Sequence, residues 1–95
     1  MASTPDPVHL SGPHRDTLSQ LFRHPTSHNI EWPAVLSLLG AVGTVEERHD
    51  GKYLITVGGE SKVFERPLHK DIDTPTVVDL RTMLRTAGYG SQVQD

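Results

Sequence analysis

The side chains in this sequence best suited to chemistry are its histidines, His9, His14, His24, His28, His49 and His69. An imidazole gains and loses a proton near neutral pH, so each is a candidate acid, base or metal ligand. His69 is followed directly by Lys70, which sets a cation beside a proton-transfer group. His24 and His28 stand four residues apart, a spacing that on a helix would put two imidazoles on one face for a metal. Pro25 breaks that helix, and only His14 or Glu31 lies close enough in sequence to be a third ligand. No metal and no other cofactor is therefore expected. Lys52, Lys62, Arg66, Lys70, Arg81 and Arg85 are the cations that phosphate contacts would draw on. Arg81 and Arg85, also four apart, fall side by side on a helix.

Composition narrows what these residues serve. The chain has 95 residues, enough for one small domain with one modest core. It has no Cys, which excludes disulfides, thiolate metal sites and a cysteine nucleophile. Nine Lys and Arg against 12 Asp and Glu give a formal charge of −3, and protonation of all six His would carry it to +3. That balance gives no strong field for nucleic acid. No apolar run approaches membrane-spanning length, and Met1 to Pro7 lacks the pattern of a secretory signal. A cytoplasmic protein with no membrane partner is expected.

The elements that must position these residues follow from pattern and punctuation. Residues 1–13, with Pro5, Pro7, Gly12 and Pro13, are expected to be a flexible leader. Residues 14–28 hold a short helix, marked by Leu18, Leu21 and Phe22, and a polar connector. The main domain is placed at 29–90, with a tail at 91–95. Asn29 is the expected N-cap of a second helix that carries Pro33 in its first turn. Val35, Leu38, Leu39 and Val42 are its core stripe, and Gly43 is its stop. Gly40, inside it, is expected to mark close packing.

The hydrophobic period then changes from helical to alternating. Asp50-Gly51 and Gly58-Gly59 predict tight turns between three strands, at about 44–48, 52–57 and 60–66. Tyr53, Ile55 and Val57 are expected on the face covered by helices. Thr74-Pro75 predicts a last helix, with Val77, Leu80, Leu84 and Ala87 as its stripe, Val78 and Met83 widening it, and Gly88 as the stop. The expected fold is α+β, in the order α-α-β-β-β-α, with a three-stranded antiparallel sheet and its helices on one face.

This order and its most specific stretch resemble the HicA family of small toxins. Pro67-x-His69-Lys70-Asp71-Ile72, then Leu80-Arg81-x-Met83-Leu84-x-x-Ala87-Gly88, matches that family's pattern without gaps. The resemblance runs from about Ile30 to Tyr89. It implies a fold like the double-stranded-RNA-binding domain (dsRBD-like), an RNA substrate, metal-independent mRNA cleavage through the 2′-OH, and a HicB-like antitoxin as partner. On that reading His69 is the acid or base, while Lys52, Tyr53, Lys70, Arg81 and Arg85 contact RNA.

The chain also departs from the family. The catalytic His that the family carries near the start of the second strand has no counterpart in Gly51-Lys52-Tyr53-Leu54-Ile55. His49 lies on the wrong side of the turn. Leu54 does no proton chemistry, and a Tyr with an ordinary pKa of about 10 is a poor base at neutral pH. Two function classes follow: an RNA-binding toxin-type ribonuclease, and a catalytically silent module. The second would bind a protein, or its own copy, through the leader helix or the open sheet face.

Overall fold

The switch from helical to alternating hydrophobicity at Gly43 marks where the backbone changes from helix to sheet. In the computed structural model, which describes residues 10, 12–23 and 29–92, two helices precede that point: α1 (Gly12–Phe22) and α2 (Trp32–Val42). Three strands follow: β1 (Gly43–Glu47), β2 (Lys52–Val57) and β3 (Glu60–Glu65). The helix α3 (Thr74–Thr86) and a 3-10 turn at Tyr89–Gln92 complete the order α-α-β-β-β-α. The sheet is an antiparallel meander, β1-β2-β3. Val45 opposes Ile55 across one ladder, and Tyr53 opposes Phe64 across the other. Among the described residues no helix is long and apolar enough to cross a membrane.

One face of the sheet carries Tyr53, Ile55, Val57 and Phe64, all buried against the helices. The stripe Val35, Leu38 and Leu39 of α2 and the stripe Val77, Leu80, Leu84 and Ala87 meet them in one core. Val78, one position off the α3 stripe, is 44% exposed and does not widen it, whereas Met83 does. α1 is part of this core. Leu18 and Leu21 are fully buried, and α1 packs on both α2 and α3. Burying two leucines stabilises the fold by roughly 3–6 kcal/mol. The helix begins at Gly12, two residues before the expected start, and Leu10 ahead of it is also buried. His24 and His28 lie outside the described residues.

Both main helix starts differ from expectation for tertiary and local reasons. Asn29 does not cap α2. Instead Ile30 and Glu31 run extended beside Asp71 and Ile72, and Glu31 becomes the N-cap residue. Trp32 N–H donates to the Lys70 carbonyl at 3.0 Å, and Ile72 N–H donates to the Ile30 carbonyl at 2.9 Å. At α3 the cap is Asp73, whose carboxylate accepts from the Thr76 backbone N–H at 3.0 Å. Thr74 and Pro75 are the first helical residues.

Gly43 ends α2 as expected, but the close packing expected at Gly40 falls at Gly43 as well. Gly40 is exposed with open space around it, so close packing is not its reason. Gly43 is the close-packed one. Its backbone is extended, with φ −165°, and a Cβ there would collide with the Thr56 carbonyl of β2. The chain leaves α2 and enters the sheet in one step because that position has no side chain.

Candidate functional site

The segment Pro67 to Ile72 carries the residues with the strongest claim to chemistry. Its two backbone hydrogen bonds to Ile30 and Trp32 hold the end of the loop against the entrance of α2. They leave Leu68, His69 and Lys70 outside, with Leu68 97% exposed. Among the described residues nothing hydrogen-bonds the His69 ring, and Lys70 forms no ion pair. A general base works when a second group orients it, and among the described residues none is in place to orient His69.

The five residues expected to contact RNA do not share a surface. Lys52 is exposed at the start of β2, opposite Glu65, on the face of the sheet away from the helices. Lys70 is on the loop. Arg85 is exposed near the end of α3, its guanidinium 5.4 Å from the centre of the Phe22 ring. The other two point inward, which corrects the expectation for both. Tyr53 is only 6% exposed, and its ring meets Trp32 edge-on at 5.4 Å. Its hydroxyl accepts from Arg66 Nη2 at 3.0 Å, and the same guanidinium contacts the Glu47 carboxylate at 3.3 Å. The hydrogen bond to Tyr53 is the main reason the Arg66 pKa is pushed up, with Glu47 adding to it.

Arg81 is 8% exposed. Its Nε donates to the Leu21 carbonyl at 2.8 Å, and Nη2 reaches the Arg23 carbonyl at 3.5 Å. These carbonyls lie at the end of α1, where a helix has unpaired acceptors and negative dipole character. Arg81 therefore joins α3 to the C-terminus of α1. The motif position that looked like a phosphate ligand is a structural clasp. Sequence spacing alone could not separate it from Arg85, because its partners are about 60 residues away.

Elsewhere the histidines take small parts. His14 Nε2 lies 2.8 Å from Ser37 Oγ and links α1 to α2. His49 is exposed at the first hairpin turn. Among the described residues no group of three or more His, Asp or Glu side chains is arranged to hold a metal. Where the loop meets α2, Trp32 Nε1 and Asp71 Oδ1 are buried and have no hydrogen-bond partner among the described residues. No local pattern marks that pair, since it arises from the long-range pairing of Glu31 with Asp71.

The sheet also has a face turned away from the helices. The ladder puts Thr44, Glu46, Lys52, Leu54, Thr56, Ser61, Val63 and Glu65 on it. Leu54 and Val63 stand directly opposite each other, and Val63 is 50% exposed. Beside them Thr56 Oγ1 and Ser61 Oγ are 2.7 Å apart. The face has an apolar centre with charges of both signs around it, and it bears no His. No protein-family model, curated protein or solved structure matches this chain.

Proposed function

We propose that this chain is a HicA-like domain that works by binding and not by cutting RNA. Its open sheet face, centred on Leu54 and Val63, is the docking surface. The observation that carries this reading is Tyr53. It and Leu54 stand at the two places where the resemblance would put the catalytic His; the Tyr53 ring is buried against Trp32, and its hydroxyl is bonded to Arg66. No imidazole stands at either position. The leader-helix route to a partner is less favoured, because Leu18 and Leu21 already bury the apolar face of α1 in its own domain. A HicB-like antitoxin is the partner that the resemblance implies.

One observation favours the ribonuclease reading. The loop is fixed by two backbone bonds and presents His69 and Lys70 together to solvent. In that case His69 moves the 2′-OH proton and Lys70 stabilises charge on the phosphate. Induced expression separates the two readings. Binding without cutting leaves growth and bulk messenger RNA unchanged. Growth arrest that His69→Ala abolishes would establish the ribonuclease instead.

A further inference from the structure

β3 forms one edge of the sheet, and of its six residues only Phe64 is buried. An open cleft of about 440 Å³ lies between Lys62–Leu68 and the first turns of α3, and α3 reaches β3 there through a side chain on the helix face, with Lys62 Nζ 3.3 Å from the Asp79 carboxylate. The ladder fixes which backbone groups face outward. Gly58-Gly59 makes a two-residue turn, so Val57 and Glu60 form a bonded pair. At the other end Arg66 N–H donates to the Gly51 carbonyl at 3.0 Å. Alternation between these points turns the N–H and C=O groups of Ser61, Val63 and Glu65 away from β2. No other element among the described residues takes them up. Such an edge is a template for another strand.

We propose that the β3 edge pairs with the β3 edge of a second copy of this chain, antiparallel about a two-fold axis at Val63. Charge complementarity favours this register over either adjacent one. Outward-facing residues must oppose outward-facing residues, so the pairing can slip only in steps of two. With Val63 opposite its own counterpart, Glu60 opposes Arg66, Ser61 opposes Glu65 and Lys62 opposes Phe64, and no like charges meet. Slipping one way puts Lys62 opposite Lys62. Slipping the other way puts Lys62 opposite Arg66. Like charges directly opposed destabilise a strand pair. The chosen register exchanges six backbone hydrogen bonds through Ser61, Val63 and Glu65 of both copies. It also extends the apolar centre of the open face across the axis, from Leu54 and Val63 to Val63 and Leu54. The proposal does not depend on the family resemblance.

A single-strand edge buries less than a standard interface of roughly 1,600 Å², so the dimer should be weak and the test needs concentrated protein. At about 0.5 mM, sedimentation equilibrium of the full chain should give close to twice the 10.5 kDa monomer mass. The chain has no Cys, so single cysteines report the register cleanly. Val63→Cys should oxidise to a covalent dimer, and Ser61→Cys alone should not. Ser61→Cys mixed with Glu65→Cys should cross-link. Val63→Pro removes an outward donor without touching the β2 ladder and should weaken association at least about tenfold. A monomeric native chain at that concentration overturns the proposal. So does equal oxidation of Ser61→Cys and Val63→Cys, which remains decisive if Val63→Pro fails to fold.

Discussion

Replacing Arg81 by Met should loosen the chain's N-terminal helix from its own domain, while the same change at Arg85 should do little. Arg81 Nε donates at 2.8 Å to the Leu21 carbonyl in a nearly solvent-free setting. A hydrogen bond from a charged donor contributes about 1.5–3 kcal/mol. A cation at a helix C-terminus adds about 0.3–1 kcal/mol. The contact to the Arg23 carbonyl at 3.5 Å is long and counts for little. Against these stands the relief of not burying a guanidinium, which Met, of similar length, largely recovers by packing. A net loss of about 2–3 kcal/mol follows, or a melting temperature lower by about 10–20 °C for a domain of this size. Arg85 stacks on Phe22 at 5.4 Å and is exposed, so Arg85→Met should cost only about 0.5–1 kcal/mol. Thermal denaturation followed by circular dichroism reads both. A melting point for Arg81→Met within a degree or two of the native chain would refute the clasp and return Arg81 to the surface cations.

The remaining predictions concern single positions. Gly40→Ala should raise stability by about 1 kcal/mol, because Gly40 is exposed, helical and has open space for a Cβ; chemical denaturation gives the sign directly. Gly43→Ala should lose about 1–3 kcal/mol or disrupt the β1–β2 pairing, since its Cβ meets the Thr56 carbonyl; amide exchange in β1 would show which. Asp73→Ala should cost about 1 kcal/mol at pH 7, and Asp73→Asn much less. Hydrogen bonds from Thr76 hold the Asp73 carboxyl below its ordinary 3.8. The unfolded chain therefore takes up this proton first. The contribution is complete above pH 3.8 and disappears as pH falls through the lower folded value. Denaturant midpoints of the native chain and the Asp73→Asn variant should converge in that acid range.

Local signals carried most of the fold. Gly58-Gly59, the alternation from Lys52 to Val57, and the Val77, Leu80, Leu84, Ala87 stripe were legible because turn geometry and periodicity act over a few residues. The misread positions have distant partners or a near-tie between neighbours. Asn29 looked like a cap, but Ile30 and Glu31 are drawn into pairing with Asp71, about forty residues on. Thr74 and Asp73 are both good caps, and only the hydrogen bond to Thr76 distinguishes them. Gly40 and Gly43 are alike in sequence until β2 is placed beside one of them. The site was less legible than the fold. Arg81 and Tyr53 have the residue types that RNA contact would use, yet burial assigns both to the interior, and burial is a property of the assembled core.

On the proposal that this domain binds without cutting, RNA integrity is the direct test. A long single-stranded RNA incubated with equimolar purified chain in EDTA at neutral pH should remain full-length on a denaturing gel, with native and His69→Ala chains giving the same result. Discrete cleavage by the native chain that vanishes in His69→Ala would contradict the claim and place the catalytic proton on the loop after β3.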